Sequence, residues 1–197
     1  MKRALILSDD RMGHLNQSLA FVKYLDISYD VVSVKFKYRW SKVLSYLFDK
    51  LGVYTKNLFD IQLDNKYDVV VGTGSTTYYA TKVLAKQMNA RSVVMMLPRG
   101  YRYDFDVIFA QSHDTPPKQH NIIEIPANFS YVEPKGIYQA KKQSIGIVIG
   151  GNNKVFTMSK EKLQAQLDTI VAVYKDYEIA ITTSPRTSDE VEQLVAS

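Results

Sequence analysis

The sequence predicts an α/β protein built on parallel sheet, with domains over residues 1–135 and 143–197. Three observations lead there. Short aliphatic runs rich in β-branched residues recur, among them Ala4-Leu5-Ile6-Leu7, Val69-Val70-Val71 and Ile145-Gly146-Ile147-Val148-Ile149. Strands buried on both faces of a parallel sheet read as such runs rather than as alternation. Several of the runs are followed by small and polar residues and then by apolar residues at helical spacing, the order of a βα unit. Between the two halves, residues 131–142 carry Pro134, Gly136 and three lysines, a linker composition after which the strand-and-glycine pattern starts afresh.

The opening unit is a strand over residues 4–7, a polar loop over 8–18, and a helix bearing Leu19, Phe21, Val22 and Leu25. In parallel α/β sheets ligands gather outside the carboxyl ends of the strands, which makes residues 9–18 the first candidate site. Gly13 is expected to let the backbone turn sharply, and the free N–H groups of the following helix favour an anionic or hydroxyl-rich ligand. His14, oriented by Asp9 or Asp10, suits a general base. His14 and Asn16 serve equally well to cap the helix. The loop has neither G-x-G-x-x-G nor Gly-Lys-Ser/Thr, which argues against a nicotinamide dinucleotide or ATP hydrolysis.

Residues 29–36 read as the second strand, and residues 40–51 as an amphipathic helix. Trp40, Val43, Leu44, Leu47, Phe48 and Leu51 share one of its faces, with Ser41, Lys42, Ser45, Asp49 and Lys50 opposite. The apolar face is expected in the core. With Lys35, Lys37, Arg39 and Lys56 nearby, its other use is to rest on an anionic membrane surface. Residues 67–71 form the third strand and run into Gly72-Thr73-Gly74-Ser75-Thr76-Thr77 before a helix over 79–88. The glycines bring backbone close to whatever lies above the sheet, and the hydroxyls are expected to cap the helix. Two such loops on one edge make a cleft.

Strands follow over 91–97, 105–110 and 121–126, and Arg99 is placed to reach a phosphate or carboxylate. Asp104-Phe105-Asp106 has the D-x-D form of metal-holding carboxylates, yet stands at the start of a strand, away from the expected cleft. His113, Asp114 and His120 have no metal-ligand spacing, so no metal is expected. In the second domain a strand over 144–149 ends in Gly150-Gly151-Asn152-Asn153-Lys154. A helix over 160–174 and a strand over 179–184 follow, and Thr187-Ser188-Asp189-Glu190 reads as a capping box for the last helix. Two strands and two helices cannot surround a core by themselves, so this part is expected to extend the first sheet or, preferably, to be the front of something longer.

There is no cysteine, hence no disulfide or thiolate chemistry, which fits a cytoplasmic location. The basic start, Met1-Lys2-Arg3, precedes only four apolar residues, neither a signal peptide nor a span. The formal charge is +5, but the cations form no long run, so nucleic acid is not an expected partner. Contact with a membrane, if made, is expected to be peripheral, at the inner face.

The chain resembles the mitochondrial-fission ELM family. The residues that carry the likeness are Ser8-Asp9 with Gly13-His14 and Asn16-Gln17-Ser18, the Gly72-Thr73-Gly74-Ser75 loop, Pro98-Arg99, and the segment from Phe105-Asp106 to His113-Asp114. Ile149-Gly150-Gly151 and Thr182-Thr183-Ser184 with Arg186-Thr187 complete it. Bacterial members of that family are regarded as glycosyltransferases and are sometimes labelled nucleoside-diphosphate-sugar epimerases. The resemblance implies the GT-B architecture, two Rossmann-like domains facing a cleft, with a nucleotide sugar as donor substrate and neither metal nor cofactor. It puts Gly13, His14, Asn16, Gln17, Gly74 and Ser75 on the acceptor side; the catalytic candidates, His14 with Asp9, come from the residues of the first loop themselves. Gly150, Gly151, Asn152, Lys154, Ser184 and Arg186 would approach the donor diphosphate.

Asp10 departs from the family, which usually has glycine there. The family also continues past this point with a Ser- and Glu-containing nucleoside motif, so the second domain is expected to be truncated and the chain inactive alone. A non-catalytic module binding a nucleotide or a partner protein is the alternative. An epimerase is disfavoured by the missing G-x-G-x-x-G and Tyr-x-x-x-Lys.

Overall fold

The structure, a computed structural model, describes residues 2–196 apart from 62, 64, 134, 135 and 137; Pro134 and Lys135 of the expected linker lie outside the described residues. The chain divides into two compact units, Met1–Val132 and Glu133–Ser197.

In the first unit the strands are β1 (Arg3–Ser8), β2 (Ser28–Ser33), β3 (Val69–Gly72), β4 (Arg91–Val94), β5 (Val107–Gln111) and β6 (Ile122–Ile125). The helices are α1 (Met12–Tyr24), α2 (Ser41–Leu51) and α3 (Tyr78–Met88). All six strands are parallel, in the Rossmann-like order β2-β1-β3-β4-β5-β6. The side-chain period of two divides the core into two layers. Ala4, Ile6, Val71 and Val93 pack with Val22 of α1 on one face, while Leu5, Leu7, Val70 and Ile108 pack with Tyr79, Val83 and Leu84 of α3 on the other. With α1 and α3 on opposite faces, the chain reverses direction across the sheet between β1 and β3. Such a topological switch point leaves a crevice outside the carboxyl ends of the two strands.

Helix α2 is turned over relative to its sequence pattern. Ser41, Ser45 and Asp49, spaced four apart, are fully buried, whereas Val43 is 69% and Trp40 57% exposed, with Leu47 and Leu51 also outside. Only Leu44 and Phe48 of the predicted apolar face pack against the core. The reason is a polar network on the inner side. Ser45 Oγ and Tyr101 OH are 2.8 Å apart, Asp49 Oδ1 accepts from Lys82 Nζ at 2.5 Å, and Asp49 Oδ2 accepts from the Arg102 N–H at 2.7 Å. A buried carboxylate with these partners overrides the preference of the aliphatic stripe for the core, because leaving it unpaired is the larger penalty.

The same cluster contains Asp104, which accepts from Lys82 and, at 2.9 and 2.8 Å, from Tyr54 and Arg102. Burial alone would raise the Asp104 pKa, but Lys82 and then Tyr54 and Arg102 outweigh it and hold the carboxyl below its ordinary range. The Tyr54 phenol is pushed up to about 12 by burial and by Asp104. Asp104 therefore contributes stability above the ordinary carboxyl pKa of about 4, and loses it as the pH falls through the lower folded value. Thermal melts should show Tm falling more steeply below about pH 4 in the wild type than in Asp104→Asn. Parallel profiles for the two would exclude this account.

The second unit contains β7 (Ser144–Val148), α4 (Lys160–Val173), β8 (Glu178–Thr182) and α5 (Asp189–Ala196). β7 and β8 pair in parallel with each other as a separate two-stranded sheet and do not extend the first. Among its described residues, Ile149, Leu167 and Val191 are the buried apolar ones. The expected capping box is not formed by Thr187: its hydroxyl accepts from the Ser184 N–H at 2.9 Å and donates to the Gly150 carbonyl at 3.1 Å.

Candidate active site

The site at the switch point begins where β1 ends. Asp10 adopts a left-handed conformation, φ +63°, so the turn after the strand is made at Asp10. Gly13 takes no part in it: it lies in the first turn of α1, and nothing stands within 4 Å of where its Cβ would be. The helix starts at Met12, so Gly13, His14, Asn16 and Gln17 are helical rather than in a loop. The early start follows from Asp9 Oδ1, which accepts the Arg11 N–H at 3.3 Å and so serves the helix entrance in place of a side-chain cap from Arg11 itself.

The other oxygen, Asp9 Oδ2, lies 2.9 Å from His14 Nδ1. As a carboxylate Asp9 accepts, so Nδ1 donates and the imidazole is held as the tautomer with a basic Nε2. Among the described residues Nε2 has no hydrogen-bond partner. The pair is sheltered but reachable, with side-chain exposures of 6% for Asp9 and 21% for His14. Asp10 points elsewhere, to Lys35 at 3.5 Å.

The loop after β3 closes on this pair. Gly74 has φ +93°, and a Cβ there would stand 2.5 Å from His14 Nδ1 and 2.9 Å from Asp9 Oδ2. Glycine is thus required twice over, by its backbone conformation and by the histidine. Helix α1 is fastened to this loop by a buried hydrogen bond of 2.7 Å between Ser18 Oγ and Thr73 Oγ1. The expected Ser/Thr capping of α3 is absent: Thr77 Oγ1 donates back to the Gly74 carbonyl at 3.0 Å. Ser75 Oγ instead accepts from Lys42 Nζ of α2 at 3.0 Å. Tyr78 lies beneath; burial raises its phenol well above the ordinary value, with Asp114 and Asp9 adding to the effect.

Two further residues fall differently from the expectation. Gln17 is buried, accepting at Oε1 from Gln111 Nε2 at 3.4 Å, and braces the strand ends instead of facing a ligand. Gln111 Oε1 is buried with no partner among the described residues. Arg99 meets a carboxylate of the protein, Asp114, at 2.9 Å. Asn16 is exposed on α1. Lys42 was not a candidate from sequence: it stood on a helix face expected to meet solvent, and only tertiary packing brings it to Ser75.

At the opposite end of the sheet, a hollow of about 840 Å³ is lined by Arg91, Arg102, Asp104, Asp106, His120 and neighbours. Its charges already answer one another, Arg91 with Asp106 at 2.6 Å and Arg102 with Asp104 at 2.8 Å, so the D-x-D carboxylates act as structural anchors. Among the described residues no three His, Cys, Asp or Glu gather as metal ligands. No helix among them is long and apolar enough to cross a membrane.

In the second unit the turn after β7 is laced to the turn after β8. A Cβ on Gly151 would stand 2.1 Å from the Arg186 carbonyl carbon, and the Asn152 N–H donates to that carbonyl at 3.0 Å. The Arg186 N–H donates to Ser184 Oγ at 3.3 Å. Arg186 and Lys154 are exposed. Asn152 Oδ1 is taken by the Met158 N–H at 2.8 Å. The glycines do not lead directly into a helix, since α4 starts only at Lys160, capped by Ser159. The first turn of α5 already holds Asp189, Glu190 and Glu192, which answer its dipole. An anion here would depend on Arg186, Lys154 and turn N–H groups.

A histidine oriented by a carboxylate, against a glycine loop at the switch point of a parallel sheet, defines a Rossmann-like α/β protein with a polar site at its carboxyl edge. The chain belongs to the Mitochondrial fission ELM1 family, which matches residues 12–197. Asp9 lies just ahead of the matched stretch. No curated protein sequence matches the chain. Among solved structures the S. aureus MnaA-UDP co-structure is similar, at 12% sequence identity and a TM-score of 0.46, with 99% of this chain covered. The chain spans 65% of the length of that structure.

Proposed function

We propose that the protein is a glycosyltransferase that uses a nucleoside diphosphate sugar, with the acceptor at the Asp9–His14 site and the donor diphosphate at the Gly150 and Arg186 turns. The observation that carries this is the 2.9 Å Asp9–His14 contact at the switch point, which leaves His14 Nε2 as a base. The acceptor hydroxyl gives its proton to Nε2 while its oxygen attacks the anomeric carbon. The anomeric C–O bond to the diphosphate breaks, and the departing nucleoside diphosphate keeps the electron pair. In the second unit, Arg186, Lys154 and turn N–H groups offer the cations and donors that a diphosphate needs. The resemblance to the ELM family implies the same reaction class.

Calorimetric titration with a panel of nucleoside diphosphate sugars tests the donor half. Saturable heat is expected with at least one, and its loss in Arg186→Ala; no heat with any of them overturns the donor site. With a donor identified, His14→Ala should lower turnover at least about 100-fold, and Asp9→Asn should lower it by less while leaving donor affinity intact. Unchanged turnover in His14→Ala would remove the histidine from the role of base. A non-catalytic binding module is the second reading, favoured by the exposed apolar face of α2, and silence across the whole donor panel is its signature.

A further inference from the structure

Residues 35–56 account for the whole net charge of the chain. The sequence has 25 Lys and Arg against 20 Asp and Glu, and this segment holds six of the first and one of the second, so the remaining residues carry 19 of each. The one acid, Asp49, is buried against Lys82 and offsets nothing at the surface. Lys35, Lys37, Arg39, Lys50 and Lys56 are exposed, with Asp10 beside Lys35 as the neighbouring acid. Beside these cations α2 presents the outward apolar stripe of Trp40, Val43, Leu47 and Leu51. Trp40 is stacked on the equally exposed Tyr38, ring centroids 5.2 Å apart and planes within 3°.

We propose that residues 35–51 dock the protein on an anionic lipid surface, with the α2 stripe and the Tyr38–Trp40 pair among the headgroups and the cations on lipid phosphates. Three features favour a bilayer over a protein groove. The stripe lies along one helix face, aromatic at its start and flanked by lysines, as in helices that lie in a membrane interface. Its charge is of one sign, which suits a uniformly anionic surface and needs no shape complementarity. The stripe also cannot turn inward, because Ser45 and Asp49 anchor the opposite face to Tyr101, Lys82 and Arg102. The amino end of α2 reaches the candidate site through Lys42 and Ser75, so docking would bring the Asp9–His14 pair to the lipid surface.

Trp40 is the sole tryptophan, so its emission reports on the surface directly. With phosphatidylcholine–phosphatidylglycerol vesicles, a shift of emission to shorter wavelength and co-flotation of the protein are expected; with phosphatidylcholine alone, neither. Raising ionic strength from about 0.1 to about 1 M, which shortens the screening length from about 10 to about 3 Å, should remove most of the binding. The paired substitution Lys37→Glu, Arg39→Glu should weaken partitioning at least about tenfold. Val43→Asp, Leu47→Asp should abolish the emission shift while circular dichroism stays that of the wild type, since both side chains already face solvent. Equal binding to neutral and anionic vesicles, or no shift with either, overturns the proposal. So does sedimentation showing that the stripe is covered by a second copy of the chain, with Trp40 already shielded in the absence of lipid.

Discussion

Replacing Lys82 with Met should lower the unfolding free energy by about 3–5 kcal/mol, because it leaves a buried carboxylate without its cation. Asp49 is fully buried and Lys82 nearly so, with side-chain exposures of 0% and 4%. Once Lys82 is gone, Asp49 retains only the Arg102 N–H among the contacts described above. Met keeps most of the lysine stem, so a packing defect contributes little and the loss is mainly electrostatic. Urea unfolding of the wild type, Lys82→Met and the double variant Lys82→Met, Asp49→Leu separates the two. Apolar replacement of both partners is often close to neutral, so the double variant should recover more than half of the loss. A single-variant loss below about 1 kcal/mol would mean that the ion pair does not hold α2 in its inverted orientation. A protein destabilised in this way should also lose the ordered α2 surface, so vesicle binding and stability are expected to fall together in Lys82→Met but not in Val43→Asp, Leu47→Asp.

That inversion marks the limit of what local sequence pattern could disclose. The strands were legible because a parallel strand buried on both faces needs a continuous aliphatic run, and β1 and β3 have one. The candidate edge of the sheet was legible for a similar reason: the polar residues after β1 and the glycines after β3 interrupt those runs abruptly. Periodicity identified α2 as a helix but misassigned its buried face, since it weighs aliphatic side chains and is blind to a lysine 33 residues further on that makes Asp49 acceptable inside. Gly13 and Asp10 show the same limit on a smaller scale. Glycine was expected to take the turn, yet Asp10 has the positive φ, a conformation that aspartate tolerates better than most residues. The choice between Asp9 and Asp10 as the partner of His14, and the arrival of Lys42 at Ser75, depend on side-chain direction in three dimensions and had no sequence signal.

Gly74 offers the most direct test of how tightly the site is built. Gly74→Ala is expected to cost about 1–2 kcal/mol for holding an L-residue at positive φ, and about 1–3 kcal/mol more for placing a methyl group against His14 and Asp9. These two contributions can be separated by a double-mutant cycle, because only the second depends on the imidazole. In a His14→Ala background the clash with the imidazole is gone and only Asp9 Oδ2, 2.9 Å from the added Cβ, remains close, so Gly74→Ala should there cost less, and the two substitutions should couple favourably by about 1 kcal/mol or more. Nuclear magnetic resonance of the ring gives an independent readout: in the wild type His14 should be the Nδ1–H tautomer with the proton shared toward Asp9, and Gly74→Ala should disturb that signal even where the fold survives. Strict additivity in the cycle, with an unchanged histidine spectrum, would show that the loop after β3 does not press on the pair. In that case Gly74 does not position His14, and any role of the histidine as a base would have to rest on Asp9 alone.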